Sequence, residues 1–303
     1  MNSTRSILHL NVFRLILFLL AAGSGASALA QTSAAKAAPP PSRILLAINE
    51  GGAANADAAE TLFKYQEFAE IVEKALRMQV LIVAVRDRNK LRNALKKREY
   101  PLLLARPNDV PAEAIRDYAY QPIVAAKEPS QALFIVPKDS PLKTIADVKG
   151  KTIVTPDQYS NIWRVANAML RDSKINMANE QVKAMRDQAA IGWSMESKFY
   201  DVGVVNSISG VGRTWEKNGG RVIARSQQLP NMPMIASPQI TEEQVARIRT
   251  ALIDLDSTES GKAILKKIGL PGGFQYSPPK VFVEFLAWLG ELEDPAARAA
   301  LSQ

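Results

Sequence analysis

The one histidine of the chain is His9, and there is no cysteine. Residues 31–303 therefore cannot assemble a Ser-His-Asp triad, a Cys-His pair or a histidine-bearing zinc site. No spacing argues for a carboxylate-pair or lysine mechanism. The expectation is a protein that is not an enzyme and uses no metal and no cofactor. What the remaining residue types can do is bind. Arg106 follows the apolar run Leu102-Leu103-Leu104-Ala105, and a guanidinium at a strand's end suits bidentate contact with a carboxylate, sulfonate or phosphonate. Ser160 and Asn161 open a helical stretch, where capping groups, free N–H groups and the helix dipole favour an anion. Arg186, after Val182–Ala184, offers a second cation. Asn206 and Ser207 bring an amide and a hydroxyl, suited to hydrogen bonding and not to recognising an ammonium. Tyr65, Tyr159 and Trp163 are aromatic candidates for stacking on a ligand. Trp193, which follows Ala189-Ala190 on one helix, is expected in the core. Asn49, closing the first strand, completes the candidate set.

The elements that must position these groups alternate. Arg43–Ile48 reads as a buried parallel strand, residues 59–77 as an amphipathic helix through Leu62, Tyr65, Phe68, Ala69, Val72 and Leu76, and Gln79–Val85 as a second strand. A basic helix around Leu91, Ala94 and Leu95 precedes a third strand, Tyr100–Ala105. A βαβαβ beginning implies a parallel sheet with helices on its faces. After Ala132–Val136 a second alternating set follows: strands at 151–154, 181–184, 202–205 and 221–224, with helices at 160–172 and 188–199. Beyond Met232–Ala236 the chain turns helical at 242–255, 261–268 and 279–289. These blocks divide into a first lobe of 43–137 plus 233–303 and a second of 138–232. Ligands of open α/β sheets sit at the carboxyl ends of the strands, so two such lobes would face each other across a cleft.

The chain has 303 residues, 47% hydrophobic, with a net charge of +8. That composition excludes disordered and collagen-like proteins. Arg5 and Arg14, the apolar run Val12–Ala22 and the ending Ala28-Leu29-Ala30 read as a secretory signal peptide over residues 1–30, cleaved to give an exported, periplasmic protein. Residues 31–42, with Pro39-Pro40-Pro41, read as a linker. The basic residues Lys90, Arg92, Lys96, Lys97 and Arg98 cluster on one short helix, a solvated face and not a nucleic-acid footprint.

The stretch Ala132-Leu133-Phe134-Ile135-Val136-Pro137-Lys138-Asp139-Ser140-Pro141, continuing through Lys149-Gly150-Lys151 to Val154, resembles the crossing strand and following turn of type-2 periplasmic solute-binding proteins. Within these it is most similar to the phosphate- and phosphonate-binding subfamily of ABC-transporter proteins. Gln227–Pro233 resembles the second crossing. The resemblance implies two mostly parallel sheets flanked by helices, a hinge of two crossing segments, and a small anionic ligand such as a phosphonate or phosphate. It also implies delivery to an ABC permease of the inner membrane, with the binding protein acting as a monomer. Where the family carries a Ser-Thr-Ser-Gly turn, this chain has Thr155-Pro156-Asp157-Gln158-Tyr159-Ser160-Asn161-Ile162. A family histidine is replaced by Asp187 or Gln188, and Asn206-Ser207 begins the cleft loop. The alternative is an accessory or sensor protein of the same fold, its cleft filled by Tyr159 and Trp163.

Overall fold

The computed structural model describes residues 43–51, 57–106, 108–158 and 160–290. The expected signal peptide and linker, and Tyr159, lie outside the described residues. The first strand β1 (Arg43–Asn49) leads to α1 (Ala58–Leu76), whose inward side carries Tyr65, Phe68, Ala69, Val72 and Leu76. Arg77 closes that helix in the left-handed region at φ 57°. The chain continues through β2 (Gln79–Ala84), α2 (Arg88–Lys96), β3 (Leu102–Ala105), α3 (Asp109–Asp117) and β4 (Gln121–Ser130). The second half comprises β5 (Ala132–Val136), β6 (Thr152–Pro156), α4 (Asn161–Asp172), β7 (Gln181–Met185), α5 (Gln188–Glu196), β8 (Val202–Asn206), α6 (Gly210–Thr214) and β9 (Arg221–Arg225). The chain then returns through β10 (Leu229–Ala236), α7 (Glu242–Ile253), α8 (Glu259–Lys267), β11 (Phe274–Gln275) and α9 (Pro279–Leu289). Among the described residues no helix is long and apolar enough to cross a membrane.

Two sheets result, ordered β11-β4-β10-β3-β1-β2 and β7-β6-β8-β5-β9. In the first, β1 runs parallel to β2 and β3; in the second, β6 runs parallel to β7 and β8. The strands that enter and leave each half, β4, β5, β9 and β10, are antiparallel to their neighbours. This arrangement aims the carboxyl ends of β1, β3, β6 and β8 at loops that feed helix starts.

Sheet membership corrects the expected lobe boundaries. β5 pairs with β8 and β9, so Ala132–Val136 belongs to the second sheet, and β10 belongs to the first from Leu229 onward. The chain changes sheets at Gln131 and at 226–228, and not at 137/138 and 232/233. A buried apolar run does not reveal which sheet it joins, so the expected boundaries fall one strand late at the first crossing and inside β10 at the second. The true changeover is pinned by small polar residues. Ser207 Oγ accepts from Gln131 N at 2.9 Å, Ser226 Oγ from Ala132 N at 3.0 Å, and Gln131 Nε2 donates to Ser226 O at 2.6 Å.

One apolar cluster, including Tyr65, Phe68, Val72, Val245, Ile248, Leu265 and Phe274, fills the space between the first sheet and α1, α7 and α8. A second is continuous through both halves: Leu91, Val110 and Ile115 meet Phe134, Ile153, Val165 and Leu170 alongside Phe282 and Phe285 of α9. Each such fully buried aliphatic or aromatic side chain contributes roughly 1.5–3 kcal/mol. Trp193, expected in the core, is 61% exposed and meets exposed Phe199 edge-on with ring centroids 5.4 Å apart. On α5 the inward positions are Ile191, Ser194 and Met195, and Trp193 stands on the opposite side.

Candidate functional site

On the first sheet, the carboxyl ends of β1 and β3 lie side by side, and Arg106 N donates to Asn49 O at 2.8 Å. Asn49 is buried, and its Oδ1 accepts from Gly51 N at 2.8 Å, which folds the chain sharply after β1. The next residue, Glu50, is absent from the sequence-based candidates. Its Oε1 accepts from the hydroxyl of fully buried Tyr65 at 2.7 Å and from Lys64 Nζ. Burial alone would raise the Glu50 pKa, but the bonds from Lys64 and Tyr65 outweigh it and hold the carboxyl below its ordinary value. Burial and the neighbouring carboxylate push the Tyr65 hydroxyl upward, so it remains a donor. Arg106 is half-buried, and its charge acts favourably on Glu50 without an ion pair within 4 Å among the described residues. Asn49, Tyr65 and Arg106 are thus brought together, with Tyr65 and Asn49 already engaged.

Immediately after β3, Asn108 precedes α3 but its side chain does not cap the helix. Its Nδ2 donates to Pro230 O at 2.6 Å, and its buried Oδ1 has no partner. Asp109 opens α3 with no solvent exposure.

On the second sheet, β6 ends at Thr155–Pro156. Thr155 is fully buried and its hydroxyl has no hydrogen-bond partner among the described residues. Ser160 takes the N-cap of α4, its Oγ accepting from Trp163 N at 3.1 Å. Asn161 follows with a buried, unpartnered Oδ1. The backbone N–H groups of Asn161 and Ile162, at the first two helical positions, have no carbonyl within the helix to bond. Trp163 is partly buried and packs on the apolar cluster shared by both halves. One turn into α4, Arg164 reaches across to Asp109, which also holds Arg88.

The remaining candidates lie on the second sheet's side. Arg186 and Asp187 are exposed, and Asp187 Oδ1 caps α5 by accepting from Ala189 N at 2.8 Å. Asn206 Oδ1 accepts from Ile208 N at 3.2 Å, and the Ser207 hydroxyl is committed to Gln131 at the sheet changeover. Sequence reasoning passed over two polar groups, Thr155 at the end of β6 and Asn108 before α3. A signal existed for both: each polar residue closes or follows an apolar strand at its carboxyl end.

Two α/β halves, joined at two crossings and carrying polar groups at the carboxyl ends of both sheets, define a two-lobed solute-binding architecture. The family profile "ABC transporter, phosphonate, periplasmic substrate-binding protein" matches residues 51–277, and the chain belongs to that family. Solved structures share the fold at low identity. XAC2383 from Xanthomonas citri bound to ATP is 14% identical with a TM-score of 0.66, over 85% of this chain and 98% of that one. PhnD1 from Prochlorococcus marinus in complex with methylphosphonate is 13% identical with a TM-score of 0.62, over 82% and 97%. The periplasmic aliphatic sulphonate binding protein SsuA from Escherichia coli is 15% identical with a TM-score of 0.52, over 86% and 84%. No curated protein sequence matches this chain.

Proposed function

We propose that this protein, exported by cleavage after Ala30, captures a small oxyanion between its lobes as a monomer and presents it to an ABC permease. The ligand class is a phosphonate or phosphate-like anion. One observation carries the reading. Among the described residues, the buried Oδ1 of Asn108 before α3, the Oγ1 of Thr155 at the end of β6 and the Oδ1 of Asn161 at the start of α4 have no hydrogen-bond partner. A buried hydroxyl or amide left unbonded costs roughly 1–3 kcal/mol, so such groups together favour a guest that bonds them. A phosphonate or phosphate oxygen accepts from the Thr155 hydroxyl and from the N–H groups at the start of α4, its protonated oxygen donates to the Oδ1 of Asn108 or Asn161, and Arg106 adds charge. The family and the methylphosphonate named with PhnD1 support the same ligand class.

Calorimetry and thermal melting against methylphosphonate, inorganic phosphate and an aliphatic sulfonate test this. Binding of at least one, with a raised Tm, is expected. Arg106→Ala should weaken that binding by roughly 10- to 100-fold, the range of a charge-assisted hydrogen bond, and leave the ligand-free Tm in place. No binding across the panel would assign the chain the accessory role instead.

A further inference from the structure

We infer that Asp109 and Arg164 fasten the two lobes to each other without a ligand, and so set how far the cleft is closed before a guest arrives. The inference rests on the reading of the chain as a two-lobed capture protein and concerns the regulation of that same site. Asp109 belongs to α3, which packs on the first sheet and α9, whereas Arg164 belongs to α4, which packs on the second sheet and also touches α9. The Asp109 carboxylate has no solvent exposure. One oxygen accepts from Arg88 Nη1 at 3.1 Å, and the other from Arg88 Nη2 and Arg164 Nη1.

The surrounding charges are Arg92, bonded to Glu113 at 2.6 Å, together with Arg88 and Arg164, so three guanidinium groups face two carboxylates. The first lobe thereby places its own carboxylate on an arginine in the opening turn of α4. Asn161 lies one turn earlier on that helix. An internal anion thus occupies an arginine of the helix that Asn161 opens.

The two partners of Asp109 have different consequences. Arg88 lies in the same lobe and stays with the carboxylate when the lobes part, so opening never strands a buried charge. Only Arg164 must leave, which makes its bond a reversible fastening. At the far end of α4, Asp172 accepts from Trp288 Nε1 of α9 at 2.7 Å. There too Arg171 Nη2 donates to Trp288 O at 2.7 Å, so both ends of α4 are tied, and the Asp109 tie is the one at the Asn161 end.

The test is small-angle X-ray scattering of the ligand-free protein, comparing wild type, Arg164→Gln and Arg164→Lys. Arg164→Gln leaves Asp109 on Arg88 and so preserves the first lobe. Its open-to-closed ratio should rise about tenfold, seen as a larger radius of gyration, with Arg164→Lys restoring the compact profile. In stopped-flow measurements with methylphosphonate, both association and dissociation should accelerate in Arg164→Gln. A ligand-free Arg164→Gln profile superimposable on wild type overturns the inference. Failure of methylphosphonate to bind any variant counts against the proposed ligand, and the ligand-free profiles still decide the fastening.

Discussion

The mouths of the two lobes are built from the same parts, a strand end, a polar loop and a helix start, yet they are finished differently. In the first lobe the polar groups after β1 satisfy one another: Tyr65 and Lys64 bond Glu50, and Asn49 bonds Gly51. In the second, Thr155 and Asn161 keep buried polar atoms without partners among the described residues, while Ser160 is engaged as a cap. A satisfied network is rigid and already stable, because each member would be costly to strand. An unsatisfied one carries free energy that a ligand can recover. On the proposed function the difference amounts to a division of labour, with the β1 side of the first lobe as a fixed wall and the start of α4 as the place where guest chemistry is read. On the first lobe the Oδ1 of Asn108 is unpartnered among the described residues, while its Nδ2 is attached to the returning strand through Pro230.

If that division holds, substitutions in the wall lower stability and those at α4 alter binding. The largest effect is expected at Tyr65, whose ring is wholly buried against Phe68 and whose hydroxyl holds Glu50. Tyr65→Ala should destabilise by about 3–5 kcal/mol in urea unfolding, through the cavity and the lost bond together. Tyr65→Phe keeps the ring and should cost about 1–2 kcal/mol. Equal losses for the two would mean that Glu50 draws nothing from the hydroxyl.

The wall should also show in the acid limb. Glu50 and Asp109 both hold their carboxyl groups below their ordinary values of 4.5 and 3.8. In each, burial pushes upward and is outweighed, by Lys64 and Tyr65 for Glu50 and by Arg88 and Arg164 for Asp109. Folding therefore weakens proton binding, and the unfolded chain takes up more protons as pH falls. The resulting stability is fully present above about pH 4.5 and is lost progressively below it, as pH passes through the lowered native values. Glu50→Gln should flatten this decline in Tm between pH 5 and pH 3, taken as roughly the carboxylate range. An unchanged slope would show that Glu50 titrates as though unfolded.

The same contrast explains what could be read in advance. Strands β1, β2, β3, β6 and β8 announce themselves as apolar runs, and α1 as a stripe of period 3.6, because burial on a regular element imposes that spacing. Helix α3 and strand β4 do not. Pro111 stands at the third position of α3, where no helical N–H is needed, and Pro122 and Pro129 interrupt β4, so all three read as loop signals. Ser160 and Asn161 were legible because a helix start has a local signature. Glu50 was not, since its partners lie 14 and 15 residues away on a helix whose period reports only its buried side. Asp109 and Arg164, 55 residues apart and in different lobes, meet only once both sheets exist. Chemistry made by tertiary contact leaves no spacing to find.

The smallest change in stability, and the sharpest test of the division, is expected at Thr155. Valine has nearly the shape of threonine and lacks the hydroxyl. In the ligand-free protein that hydroxyl is buried and unbonded, so removing it takes away a desolvation penalty and no interaction. Thr155→Val should therefore leave stability unchanged or raise it by about 1 kcal/mol, the lower end of the cost of an unpaired buried hydroxyl. Toward an oxyanion the same substitution removes a donor, and affinity should fall about tenfold, equivalent to one hydrogen bond of roughly 1.4 kcal/mol. Opposite signs in the two measurements are the mark of a group held in reserve for a guest. A loss of stability with no loss of affinity would place Thr155 in the scaffold and return the site to the first lobe.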